Sequence, residues 1–142
     1  MIKVLSFTTK DKKLAKLAFQ IRQEVFVVEQ NVDPELEYDE FEDISQHYLV
    51  FENDTPVATA RWRKTEKGIK LERFSLLKKY RNKGIGTILL KKVMQDILPL
   101  NKNIYLHSQV LAVNLYLREG FKISGEKFME AGIEHYFMSW EK

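Results

Sequence analysis

Ten consecutive residues, Lys78-Lys79-Tyr80-Arg81-Asn82-Lys83-Gly84-Ile85-Gly86-Thr87, bring four cations together with two glycines. Glycine lets a backbone approach a ligand with no Cβ in the way. If a helix opens at the second glycine, the amides of its first turn have no internal acceptor and point into the loop. A diphosphate is then favoured by backbone donors, by the helix dipole and by the Arg81 and Lys83 side chains. The loop is not a Walker A sequence, which needs Gly-Lys followed by Ser or Thr, and it lacks the first glycine of the Rossmann fingerprint. The plainer alternative is a strand-to-helix turn that holds no ligand.

Other chemistries are narrowed by what the chain contains. There is no cysteine, which excludes a disulfide framework, a thiolate zinc site and a covalent cysteine-acyl step. His47, His107 and His135 lack metal-ligand spacing, so no metal site is expected. Alternation along 69–77 predicts Glu72, Phe74 and Leu76 on one face and Arg73 and Ser75 on the other. A carboxylate beside Phe74 and Leu76 is either a functional group with a raised pKa or the partner of a salt bridge. Phe26, Trp62, Phe74 and Phe137 read as core aromatics.

The elements that must position these residues follow from periodicity and breakers. Residues 2–8 read as a strand, and Asp11 as the cap of a helix carrying Leu14, Leu17, Ala18, Ile21 and Val25 at helical spacing. That helix breaks near Gln30, and Pro34 marks an irregular acidic connection. Residues 47–51, 56–63 and 69–77 form an antiparallel meander, because their connections at 53–56 and 67–68 are too short for crossovers. A second helix opens at Gly86 or Thr87, with Ile85, Leu89, Val93, Met94 and Ile97 on one face, and ends at Pro99. The strand at 104–108 must run parallel to 69–77, since a helix joins them. A third helix at 112–119 closes at Gly120, and 121–124 and 135–140 finish as an antiparallel pair. The order β-α-β-β-β-α-β-α-β-β predicts an α/β (α+β) fold: a mixed, mostly antiparallel central sheet with helices on both faces, in a single domain over 1–142.

With 142 residues and 44% hydrophobic content, the chain supports one domain with its own core. No leader-like segment and no bilayer-length apolar run is seen, which predicts a soluble cytoplasmic protein without a membrane partner. The net charge of +3 is unevenly spread: 33–43 holds seven acidic residues and no basic one, and 78–92 holds six basic residues and no acid. The basic block suits a phosphate-bearing ligand. Nucleic acid is not an expected partner, because no matching motif is present and the acidic segment offsets the basic one.

On these residues the chain resembles the GNAT superfamily of N-acetyltransferases over nearly its whole length. Leu71 to Leu77 resembles the family's fourth strand, Arg81-Asn82-Lys83-Gly84-Ile85-Gly86 its pyrophosphate signature, and 112–121 its later Asn…Tyr…Gly-Phe region, with a shorter Asn-to-Tyr spacing. The stretches 22–30 and 132–138 resemble the ElaA- and YjcF-like branch of small bacterial members. The resemblance implies acetyl-CoA held where strands four and five splay apart, without a metal. The pantetheine arm would pair with backbone near Leu76 and Leu77. Residues Arg81, Asn82, Lys83, Gly84, Ile85 and Gly86 would wrap the pyrophosphate, with Thr87 adding its hydroxyl. Asn114 would sit on the pantetheine side and Tyr116 near the sulfur. Asn82 stands where glycine is frequent, which Asn tolerates because it accepts left-handed backbone.

The implied reaction is acetyl transfer to a primary amine by direct attack in a ternary complex. An alkylamine has a pKa of about 10.4, so a proton must leave before attack. Tyr116 is the candidate general acid for the thiolate and Glu72 the candidate general base, with His107 and His135 as runners-up. The acidic stretch 33–43 would border the acceptor entrance and favour a cationic amine, and a homodimer is compatible with the family. The rival reading is a catalytically silent CoA-binding or regulatory domain of the same fold.

Overall fold

Asp11 closes the first helix at its start: extended at φ −83° and ψ 91°, it accepts the Leu14 amide at its carboxylate, 3.1 Å away. The computed structural model describes residues 1–141, apart from the side chain of Leu36. Strand β1 (Ile2–Phe7) precedes this helix, α1 (Lys12–Arg22), which buries Ala15, Ala18 and Ile21. The helix does not stop at Arg22. It widens into a π-helical stretch over Gln23–Glu29, whose last turn closes when the Gln30 amide donates to Val25 O at 3.1 Å. The acidic connection then holds a short helix, α2 (Pro34–Glu37), capped by the Asp33 carboxylate on the Glu35 amide.

The meander follows as β2 (Gln46–Glu52), β3 (Thr55–Thr65) and β4 (Gly68–Leu76). After α3 (Ile85–Ile97) come β5 (Ile104–Gln109), α4 (Val113–Arg118), β6 (Phe121–Glu130) and β7 (Ile133–Trp140). All seven strands form one sheet in the order β1-β2-β3-β4-β5-β7-β6. Only the β4–β5 pair is parallel. The expected mixed sheet is present, and its last hairpin is longer than expected, since β6 runs to Glu130 through an irregularity between Ser124 and Phe128.

One face of the sheet packs Tyr48, Val50, Ala60 and Leu71 against Leu89, Leu90 and Val93 of α3 and Tyr116 of α4. The other packs Leu49 against Ala18, Ile21 and Val25 of the first helix and its extension. On the α3 side Tyr48 donates its hydroxyl to Asp96 and accepts the Trp62 indole N–H, both at 2.9 Å, so the polar atoms of Tyr48 and Trp62 are paired. Among the described residues no helix is long and apolar enough to cross a membrane.

The decisive irregularity lies in β4. Glu72 faces Arg61 and Ser75 faces Thr59, so two residues of β4 oppose one of β3, and Arg73 takes a left-handed φ of 57°. Parallel pairing with β5 covers only Ile69, Lys70 and Leu71, opposite Ile104, Tyr105 and Leu106. Beyond Leu106, His107, Ser108 and Gln109 pair with β7. The two central strands therefore part at the bulge.

Candidate active site

The loop between β4 and α3 is shaped by two left-handed residues, Asn82 at φ 64° and Gly84 at φ 80°. Gly84 is the N-cap of α3 and makes no side-chain cap bond. Buried Ile85 anchors the helix start in the core. Ile88 donates back to Gly84 O at 3.1 Å, so the amides of Ile85, Gly86 and Thr87 precede the first intrahelical bond. Space is open on this side: a Cβ on Gly84 would meet nothing within 4 Å. A Cβ on Gly86 would meet the Leu115 side chain at 3.6 Å, which places the first turn of α4 beside the loop. Lys83 and Asn114 are exposed there.

The Arg81 side chain, 32% exposed, folds back along the loop, donating Nε to Leu76 O at 2.9 Å and both terminal nitrogens to Glu29 at 2.6 and 2.7 Å. The hydrogen bond from Arg81 holds the Glu29 carboxyl below its ordinary range. Arg81 thus ties the loop to β4 and to the π-helical stretch, while Lys78, Lys79 and Lys83 are exposed. Main-chain groups at the strand end are also engaged: Leu76 O accepts from Arg81, and the Leu77 amide donates to Val57 O at 3.0 Å.

A cavity of about 350 Å³ opens where β4 and β5 part, lined on one side by Phe74 and Tyr116. The Tyr116 ring meets Phe74 edge-on at 5.8 Å and Phe121 at 5.9 Å. Its hydroxyl makes no hydrogen bond among the described residues and is not sealed from the cavity. Burial pushes its pKa well above the usual tyrosine value.

Glu72 requires a correction. The bulge breaks the alternation, so Phe74 and Leu76 pack toward the α3 side while Glu72 stands opposite Arg61 on the α1 side. Glu72 binds Arg61 and Arg63 at 2.8 Å and Lys70 at 3.1 Å. Burial raises its pKa, but the Arg63 hydrogen bond and the charges of Arg61 and Lys70 outweigh that and hold it at about 2. Of the two readings open in the sequence, the structure has the salt-bridge partner.

The acidic connection is likewise not a solvated rim where it meets the cavity. Arg22 binds Glu37 at 2.8 Å and Glu42 at 2.7 Å, and Arg61 binds Asp39 at 2.7 Å and Glu42 at 2.9 Å. Arg73, placed by the bulge, reaches Asp39 at 3.2 Å and Glu37 at 3.4 Å. Asp33, Glu35, Glu40 and Asp43 remain exposed. Its inward carboxylates already face arginines.

Across the cavity from Tyr116, His107 accompanies a carboxylate that sequence reading missed. His107 Nδ1 lies 3.0 Å from Glu130 Oε1, and His135 Nε2 lies 3.7 Å from Oε2 of the same residue. The His107 contact comes first among the causes that hold the Glu130 carboxyl below its ordinary value. With Nδ1 donating to Glu130, a neutral His107 carries its lone pair on Nε2. His135 Nδ1 lies 2.7 Å from Ile133 O, so it is the protonated nitrogen of that ring. Glu130 is 23 residues from His107 in sequence and arrives through the extended β6–β7 hairpin, which no local signal marked. Gln30 and Gln109 exchange amide hydrogen bonds at 3.2 and 2.9 Å and join the end of the π-helical stretch to the end of β5. Among the described residues no group of three or more His, Asp or Glu side chains is arranged to hold a metal ion.

Comparison with known proteins agrees with this fold. Residues 8–142 match the family model described as an acetyltransferase (GNAT) domain. The chain is 39% identical over 131 residues to the uncharacterized N-acetyltransferase YjcF of Bacillus subtilis (strain 168), covering 91% of this chain and 94% of that protein. In three dimensions it is similar to Escherichia coli ElaA, with a TM-score of 0.86, 29% identity and coverage of 99% and 100% of the two chains. An acyl-CoA N-acyltransferase from Pseudomonas aeruginosa is similar to the same degree, with a TM-score of 0.86, 26% identity and coverage of 99% and 100%.

Proposed function

Because the chain belongs to the GNAT acetyltransferase family and is an acyltransferase, we propose that it moves an acetyl group from acetyl-CoA to a primary amine, by direct attack in a ternary complex. Acetyl-CoA supplies the acyl group activated as a thioester. The backbone of residues 81–86 and the Thr87 hydroxyl hold the pyrophosphate at the α3 N-terminus, with Lys83 adding charge from outside. Arg81 acts by fixing the shape of this loop. The β4 end at Leu76 and Leu77 borders the pantetheine arm, and Asn114 flanks it from the first turn of α4, next to the loop.

Two residues move protons. His107 Nε2 takes the proton that the attacking amine sheds, with Glu130 holding the ring through Nδ1. The Tyr116 hydroxyl gives its proton to the sulfur as the carbon–sulfur bond breaks and the carbon–nitrogen bond forms. A thiol ordinarily titrates near 8.5 and a phenol near 10; the apolar surroundings that raise Tyr116 raise a thiol beside it too, which keeps the two matched. Glu72, fully ionised at neutral pH and bound by three cations, is a positioning residue in this scheme. A carboxylate with a pKa of about 2 is a poor acceptor for an ammonium proton.

The observation that carries the proposal is the run of first-turn amides opening from a left-handed Gly84 into free space. Titration calorimetry with acetyl-CoA tests it. The wild type should bind, and Gly84→Trp should not, while its circular dichroism stays native, since nothing packs on Gly84. Acetyl-CoA binding that survives Gly84→Trp would remove the loop from the site.

A further inference from the structure

Arg63, Lys70 and Arg73 line the cavity together with Glu37, Asp39, Glu72 and Glu130, and Arg22 and Arg61 stand behind them against Glu37, Asp39, Glu72 and Glu42. The cavity wall is therefore close to balanced in charge, and the excess of positive charge lies just outside it. Arg63, Lys70 and His107 line both the cavity and a shallow outer basin whose other charged residues are Lys64, Lys67 and Glu66. The way in to His107 from this side is basic.

From this arrangement we infer that the acceptor is an amino-carboxylate: a small molecule whose amine faces His107 while its carboxylate sits between Arg63 and Lys70. This rests on the acetyl-transfer reading and narrows its substrate class. Both anchoring side chains keep donors to spare. Arg63 gives Nε and Nη2 to Glu72 at 2.8 and 3.5 Å, its guanidinium lies 3.8 Å over the Phe41 ring, and its Nη1 has no acceptor among the described residues. Lys70 uses one contact, to Glu72 at 3.1 Å. Arginine held flat on an aromatic ring presents a fixed in-plane fork, the geometry that a carboxylate accepts.

The spacing fits. Lys70 is the register partner of Tyr105, and His107 is two residues farther along β5 on the same face. With strands about 4.8 Å apart and a rise of about 3.3 Å per residue, Lys70 and His107 are diagonal neighbours roughly 8 Å apart at the backbone, a gap that a molecule of amino-acid size spans. A polyamine would meet Lys64, Lys67, Arg63 and Lys70 on its way in, with Glu66 beside them.

Matched pairs test the inference: β-alanine against propylamine, phenylalanine against phenethylamine, and lysine against cadaverine. Binding to the CoA-loaded protein is measured by calorimetry, and thiol release from acetyl-CoA is measured separately. The carboxylate member of at least one pair should bind about 10-fold tighter or more, the size of one charge-assisted contact. Lys70→Met with Arg63→Met should erase that margin at unchanged acetyl-CoA affinity, which also reports that the variant folds. Lys64→Glu with Lys67→Glu, on exposed positions, should weaken the carboxylate member and spare its partner. Equal or tighter binding of the decarboxylated members, or no binding by any carboxylate member, overturns the inference. Selective carboxylate binding without thiol release keeps it and removes the transferase reading. Faster acetylation of the decarboxylated member in all three pairs does the reverse.

Discussion

Tyr116 and His107 reach one cavity from different elements, a helix and a strand, and each is set up by a neighbour rather than by its own type. Apolar packing against Phe74 and Phe121 keeps the Tyr116 proton in place at neutral pH, and Glu130 orients His107. Tyr116→Phe removes one oxygen from a well-packed ring. It should lower kcat on the order of 100-fold and leave the acetyl-CoA dissociation constant unchanged; full turnover in this variant would exclude the acid role. His107→Gln should lose a similar factor near neutral pH, with a deficit that shrinks as pH rises. Below about 10.4 each unit of pH multiplies the neutral amine about tenfold, which replaces the missing base. A pH–rate profile parallel to the wild type would assign the proton transfer elsewhere.

The splay of β4 from β5 makes the site, and two positions set it. At the bulge, Arg73 adopts a left-handed conformation that costs a non-glycine residue on the order of 1–3 kcal/mol. It turns the strand so that Phe74 and Leu76 regain the α3 face. At the other end Gly68 starts β4 at φ 134°, where a Cβ would sit 2.2 Å from Asn103 O. That contact belongs to the junction at which the Ile69 amide donates to Asn103 O at 2.7 Å and the short parallel register begins. Gly68→Ala must push the two backbones apart, and we expect a loss of about 2–4 kcal/mol in urea unfolding with weakened acceptor binding. A variant as stable as the wild type would show that this register tolerates displacement. By contrast Gly84, with nothing near it, should tolerate substitution at about 1 kcal/mol, from φ alone.

Across the whole molecule, the buried ion network joins the first helix, the acidic connection and the central strands on the α1 side. Its stability depends on pH with a definite sign. Glu72 is held at about 2, below its ordinary value near 4.3. Its contribution is complete above that ordinary value and is lost as pH falls toward 2. The contribution at neutral pH is on the order of 3 kcal/mol. Glu72→Gln should therefore be less stable than the wild type at pH 7, with the two converging between about pH 4 and pH 2. Urea midpoints at pH 7, 4 and 3 read this directly, and a constant gap would refute it.

Sequence alone determined what is local or periodic. The Asp11 cap, the apolar stripe of α3, the meander, the parallel β4–β5 step forced by an intervening helix, and the left-handed tolerance of Asn82 all arise within a few residues, and all were legible. Tertiary structure decided what depends on residues far apart in the chain. The bulge that turns Glu72 away from Phe74 is a mismatch between two strands. The fold-back of Arg81 needs Glu29, and the pairing of the acidic stretch needs arginines from α1, β3 and β4. Glu130 reaches His107 only across a hairpin. Charge signs and periodicities can be read in a string, but which opposite charge a buried side chain meets is settled when the elements pack, because desolvation forces each ion to find a partner wherever the fold brings one.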